Sequence, residues 1–198
     1  TEDRPLIVLG STREGEEKFL LEVLNERDCR MILAPRHLNR VEAVAETLSD
    51  FHLQWVRSSE LSKPTDPFDE VDVVLLDEFG RLEAAYGTAD LALVGGGWSE
   101  NGGHNPLEAA QYGVPVIVGP DMSNFRESTD FLRELEILVT AESRNELVEA
   151  VRNFLDGTGE DKQSDRSGKL QERIEPIKKH YVDALEASLG PAVGGNQK

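Results

Sequence analysis

The chain has 198 residues and carries 21 Lys and Arg against 38 Asp and Glu, a formal net charge of −17. That length suits one ordinary domain or two very small ones, and the charge argues against a general nucleic-acid binder or an anionic membrane surface as partner, while leaving room for a local basic pocket for a small anion. The one cysteine, Cys29, excludes an internal disulfide framework and a multi-cysteine metal site, and no apolar run reaches the roughly 18 residues of a bilayer span.

Taken in chain order, Leu6-Ile7-Val8-Leu9 is a short apolar run ended by Gly10, the pattern of a buried parallel strand. An acidic start at Glu14, Glu16 and Glu17, with Phe19, Leu20, Val23 and Leu24 at helical spacing, predicts a helix over 14–27. Cys29 to Ala34 reads as the second strand, stopped by Pro35. Residues 39–49 read as a helix, with Asn39 as its N-cap. A short strand is expected over 52–56, a polar, proline-bearing loop over 58–70, and a third clear strand from Val71 to Leu76. Phe79 to Tyr86 reads as a short helix, Leu91 to Val94 as a strand, and a helix is expected to open near Asn105-Pro106. Pro115 to Val118 is a further strand, 125–134 a helix, and Glu136 to Val139 a last strand. Ser143 with Glu146 forms a capping box for a helix to about residue 155.

Strands alternating with helices give an α/β fold, a Rossmann-like parallel sheet with helices on both faces. Residues 1–155 are read as that domain, 156–169 as a flexible connector of almost no apolar content, 170–189 as a final helix and 190–198 as a disordered tail. No signal peptide opens the chain, and a reducing, cytoplasmic setting is expected. The start at Thr1, without Met, reads as a processed product or a piece of a longer chain.

In such sheets ligands sit outside the C-terminal ends of the strands, and the unusual residues of this sequence cluster there. Gly10-Ser11-Thr12-Arg13-Glu14-Gly15 places N–H groups and two hydroxyls at a helix start, where they suit either a phosphate or carboxylate, or simple helix capping. Arg36 and His37 project from the end of the second strand, as anion ligands or as a surface pair. Phe79 could pack on a planar ring or belong to the core. Five glycines stand among residues 95–103, a costly choice unless the backbone turns sharply or approaches a ligand. Glu108 falls in a first helical turn, where it suits the dipole or a ribose diol. Asn124 is a candidate helix cap and Arg126 a candidate cleft residue. The four histidines show no metal spacing, there is no Gly-x-Ser-x-Gly elbow, and Cys29 reads as inert core, so neither a metal nor a cofactor is expected.

Four segments occur in one order: Gly-Ser-Thr-x-Glu-Gly-Glu-Glu at 10–17, Ala-Pro-Arg-His at 34–37, Gly-Gly-His-Asn-Pro-Leu-Glu at 102–108 and Gly-Pro-x-x-x-Asn-Phe-Arg at 119–126. Over roughly residues 5–155 this set closely resembles the C-terminal half of 3-deoxy-D-manno-octulosonic acid (Kdo) transferases. The resemblance implies one half of a GT-B glycosyltransferase, two Rossmann-like domains around a cleft. This half would hold the CMP part of a CMP-Kdo donor whose Kdo goes to a lipid A precursor in lipopolysaccharide biosynthesis of Gram-negative bacteria. It implies that Ser11 and Thr12 face the donor phosphate or the Kdo carboxylate, and that Arg36 and His37 line the nucleotide pocket. Phe79, Gly80 and Leu82 would border the cytosine, Gly96 and Gly97 would allow close approach, and Asn105 and Glu108 would hold phosphate and ribose. The family usually has Thr-Met-Gly-Glu-Leu where this chain has Glu78-Phe79-Gly80-Arg81-Leu82, and Pro where Ala109 stands. An acceptor-binding half with the general base and a membrane anchor would precede Thr1, with the parent enzyme at the cytoplasmic face of the inner membrane, so this chain alone is expected to be inactive. A donor domain for a UDP- or GDP-sugar and a non-catalytic nucleotide-binding domain are the alternatives.

Overall fold

The computed structural model of the chain describes residues 4–61, 67–155, 168 and 172. Seven parallel strands form one sheet: β1 (Leu6–Thr12), β2 (Arg30–Pro35), β3 (Trp55–Arg57), β4 (Val73–Leu75), β5 (Leu91–Val94), β6 (Val116–Val118) and β7 (Leu138–Thr140), in the spatial order β3-β4-β2-β1-β5-β6-β7. Six helices lie between and after them: α1 (Glu16–Leu24), α2 (Val41–Asp50), α3 (Leu82–Tyr86), α4 (Leu107–Ala110), α5 (Arg126–Glu134) and α6 (Arg144–Leu155).

The alternation of side chains along the central strand divides the core in two. Ile7 and Leu9 of β1 pack with Leu20 and Leu24 of α1, Val44 and Leu48 of α2 and Leu147 of α6. Leu6 and Val8 point to the other face, where Tyr86 of α3, Ala109 of α4 and Leu132 of α5 cover the sheet. All seven residues of β1 are buried, because helices cover both faces. The chain runs outward from β1 to one edge, then returns to place β5 on the other side of β1. The gap between the C-terminal ends of β1 and β5 is therefore the topological switch point, where sheets of this kind open a crevice.

The strands and helices expected up to residue 155 are present, with shifts that have local causes. The strand expected over 52–56 begins at Trp55, because His52 turns the chain at φ 58°. The helix expected from Phe79 begins at Leu82, because Gly80 sits at φ 80°. The last strand shifts to Leu138–Thr140 behind a turn at Glu136, φ 57°. Asn39 is not an N-cap: Leu38–Arg40 form a 3-10 turn that feeds α2. The capping box is formed, with the Ser143 hydroxyl 3.1 Å from Glu146 Oε1 and the Glu146 N–H donating back to Ser143 at 3.3 Å. Cys29 is buried just ahead of β2, and burial pushes its thiol up to about 11, so it is inert core as expected. The expected connector, final helix and tail at 156–198 lie outside the described residues, apart from Gly168 and Glu172.

Candidate functional site

The switch point is built from the end of β1 and the start of α1. Ser11 adopts φ 56° and interrupts the β1–β2 register between Gly10 and Thr12, which swings the chain over the strand ends. Gly15, φ 87°, is the N-cap of α1, and no side chain caps the helix. The capping role open to Ser11 and Thr12 is thus not taken. The expectation that the Thr12 hydroxyl faces a ligand is corrected as well: Thr12 is fully buried and donates to Glu17 Oε1 at 2.8 Å. Its carbonyl accepts the Arg36 N–H at 2.9 Å. Arg40 closes this group, donating to both Glu17 oxygens at 2.7 and 3.1 Å, and so fixes the turn that carries Arg36 and His37. The Ser11 side chain has no partner among the described residues.

The glycine run has an internal reason. Glu16 is 2% exposed, and its carboxylate accepts the N–H groups of Gly96 (2.9 and 2.8 Å), Trp98 (3.0 Å) and Arg13 (2.8 Å) and the Ser99 hydroxyl (3.0 Å). The loop N–H groups that resemble an anion cradle are therefore filled by the chain's own carboxylate. Gly96 holds φ 84° with the His104 ring against it, since an added Cβ would stand 2.8 Å from His104 Cδ2. Gly97 lies against Gly119, and a Cβ at Gly119 would stand 2.2 Å from the Gly97 carbonyl carbon. Gly96 and Gly97 thus make the close approaches expected of them, but to neighbouring backbone and a ring of the same chain. Trp98 pins the loop by donating to the Ala141 carbonyl at 2.9 Å. Asn124 caps no helix; its amide donates to the Asn101 carbonyl at 2.9 Å and ties down the far end of the loop. Arg126 is exposed at the start of α5.

A cationic cluster sits where these turns meet. Arg13 Nε donates to His104 Nε2 at 3.1 Å, and Arg13 Nη1 lies 3.2 Å from His37 Nε2. Burial, then the charges of Arg13, Arg36 and His37, push the His104 imidazole down to about 4, so near pH 7 it is a neutral acceptor for Arg13. Neither the Arg13 nor the Arg36 guanidinium has a carboxylate partner among the described residues. In a chain of net charge −17, two unneutralised guanidiniums and two imidazoles at the ends of β1, β2 and β5 make a site for a small anion. Arg13 and His104 are not among the site residues the sequence predicts: Arg13 stands in the strand-end turn and His104 follows the glycine run, and their contact spans 91 residues of chain.

On the β4 side, Asp77 accepts from the Ser58 hydroxyl at 2.8 Å, the Ser59 N–H at 3.0 Å and the Ser59 hydroxyl, which hold its carboxyl below the usual range although partial burial opposes them. This fastening fixes the turn at 78–81, where Phe79 is 87% exposed and free to stack on a planar ring. Leu82, the first residue of α3, is half-buried against the core instead. Asn105 Oδ1 accepts the Leu107 N–H at 3.1 Å, which starts α4, and Glu108 is exposed in its first turn. Among the described residues no group of three or more acidic, His or Cys side chains could hold a metal, and no helix is long and apolar enough to cross a membrane.

Residues 58–171 match the family model for glycosyl transferases group 1. A 3-deoxy-D-manno-octulosonic acid transferase of Haemophilus influenzae is 35% identical over 161 residues, 77% of this chain and 37% of the relative. Its counterpart in Aquifex aeolicus is 29% identical over 188 residues, 92% of this chain and 49% of the relative. The chain thus spans less than half the length of these curated relatives. Among solved structures, the C-terminal CMP-Kdo binding domain of WaaA from Acinetobacter baumannii superposes with a TM-score of 0.75 at 28% identity, covering 86% of this chain and 91% of that domain. The parallel sheet is the Rossmann-like half of a GT-B glycosyltransferase, as the sequence predicts.

Proposed function

The chain belongs to the glycosyl transferases group 1 family, and we propose that it is the donor-binding half of a Kdo transferase, holding CMP-Kdo. The observation that carries this reading is the pair of guanidiniums without carboxylate partners, Arg13 and Arg36, beside His37 and the neutral His104 at the switch point of an acidic chain. CMP-Kdo presents two anions close together, the phosphodiester and the sugar carboxylate, and the cluster offers two forked donors for them. Ser11 keeps its hydroxyl for the same ligand. Phe79 stacks on the cytosine, with Gly80 allowing the turn that exposes it and Leu82 supporting it from below. The Asn105 amide faces the phosphate while its oxygen starts α4, and Glu108 takes the ribose diol.

The reaction is an inverting transfer at the Kdo keto carbon. A general base outside this chain takes the proton of an acceptor hydroxyl, and that oxygen bonds to C2 of Kdo. The bond from C2 to the phosphate oxygen breaks, and its electron pair leaves on CMP. Arg13 and Arg36 stabilise the charge gathering on that phosphate. The acceptor is a lipid A precursor held by the other half of the enzyme, at the cytoplasmic face of the inner membrane, and this half alone gives no turnover. A protein-observed NMR titration with CMP, UMP and GMP tests the reading. CMP-selective shifts at about millimolar affinity, about −4 kcal/mol, that vanish in Arg36→Ala support it. A preference for UMP or GMP moves the donor to another sugar nucleotide, and sugar transfer by this chain alone contradicts the division of labour.

A further inference from the structure

Tyr86 closes α3 and is 1% exposed, with its ring in the core beneath β1. Its hydroxyl reaches the strand end so closely that a Cβ on Gly10 would lie 1.8 Å from Oη. Gly10 is thus glycine because the phenol occupies the space of its side chain. A buried tyrosine hydroxyl ordinarily finds a hydrogen-bond partner. Tyr112, on the surface, has one in Glu83 Oε1 at 2.8 Å. The Tyr86 hydroxyl has none among the described residues, yet it is not among the side-chain atoms sealed from solvent without a partner. Helix α4 packs beside α3, and its Ala109 lies in the same core cluster as Tyr86, next in the chain to the exposed Glu108 of its first turn. A donor without an acceptor at the end of β1 and an exposed acceptor in the first turn of α4 therefore stand on neighbouring elements.

We infer that the Tyr86 hydroxyl is a ligand contact, donating a hydrogen bond to a ribose hydroxyl of the bound nucleotide while Glu108 accepts from the same diol. A cis-diol offers what this pair needs, one oxygen to accept from a phenol and O–H groups to donate to a carboxylate. This inference rests on the nucleotide reading above and adds to it a contact that distinguishes ribose from deoxyribose.

The test compares the 198-residue chain with its Tyr86→Phe variant, using CMP, 2′-deoxy-CMP and inorganic phosphate as probes and thermal unfolding as the control. The expected result is a CMP affinity lower by about fivefold to tenfold, the scale of one hydrogen bond. Phosphate binding is unchanged, and the melting temperature is equal or higher because no protein hydrogen bond is lost. The unsubstituted chain prefers CMP over 2′-deoxy-CMP, and Tyr86→Phe narrows that preference. Equal CMP affinity in the two proteins overturns this inference alone. A melting temperature lowered by Tyr86→Phe assigns the hydroxyl to the fold and also overturns it. No preference for ribose in the unsubstituted chain does the same without reference to the variant. If the unsubstituted chain binds no nucleotide, the donor reading falls, and this inference with it.

Discussion

Replacing Glu16 by Gln removes a charge and one acceptor from a carboxylate that holds four separate donors at 2.8–3.0 Å. The amide keeps one acceptor oxygen, but its NH2 group must face N–H groups of the glycine loop. Hydrogen bonds to a charged acceptor contribute about 1.5–3 kcal/mol each, and neighbours that share one acceptor do not add fully. Two such bonds weakened or lost put the cost at about 2–4 kcal/mol. For a domain of this size that is a melting temperature lower by about 4–16 °C. Thermal unfolding followed by circular dichroism, with calorimetry to check two-state behaviour, measures it. Ser99→Ala, which removes one of the four donors and leaves the carboxylate with three, is the control, with an expected cost of about 1.5 kcal/mol, the low end of that range. A Glu16→Gln variant that melts within a degree of the unsubstituted protein refutes the claim that Glu16 organises the loop.

Arg40→Met leaves the Glu17 carboxylate, 4% exposed, without its bidentate partner, at an expected cost of about 3 kcal/mol visible as a lower urea midpoint with an unchanged slope. Since the side chain of Arg40 is itself 20% exposed, Glu17→Gln with Arg40→Met recovers much of that loss. His104 titrates near 4 in the fold against 6.5 when unfolded, so the unfolded chain binds more protons between those values. That contribution to stability is present above about 6.5 and is lost as the pH falls to about 4; urea midpoints measured across the range read it, and in His104→Gln that part of the slope disappears. Gly119→Ala places a Cβ 2.2 Å from the Gly97 carbonyl carbon, where only backbone could move, and is expected to yield little folded protein in a solubility and circular-dichroism comparison.

The order and type of the elements could be read from the sequence because the buried strands are short apolar runs, closed by Gly or Pro at β1, β2, β5 and β6, and each longer helix has an apolar stripe. Boundaries slipped where one residue took a left-handed turn, at His52, Gly80 and Glu136. No periodicity marks such turns at a non-glycine residue. The clusters at the strand ends were visible as clusters, but their internal economy was not. The glycine run implied a sharp turn or a close approach to a ligand, and the fold fills its N–H groups with Glu16, 80 residues away from Gly96. Thr12 looked like a ligand contact, and burial turns it to Glu17. The centre of the cluster is the Arg13 guanidinium held by the neutral His104, a pairing that depends on β1 and β5 becoming neighbours. Tyr86 was read as the end of a short helix, and only its contact with Gly10 draws attention to its hydroxyl.

The proposed donor is expected to place its anion at the Arg13–His104 pair. Mapping CMP onto the chain by the shifts of the Arg13 Nε–H and of the His37 and His104 ring resonances tests it most directly. The account predicts that these signals move together and saturate with one affinity, and that Arg13→Gln abolishes the movement while the backbone spectrum of β1 and β5 is retained. Saturable binding of CMP that leaves the Arg13, His37 and His104 signals in place would contradict it.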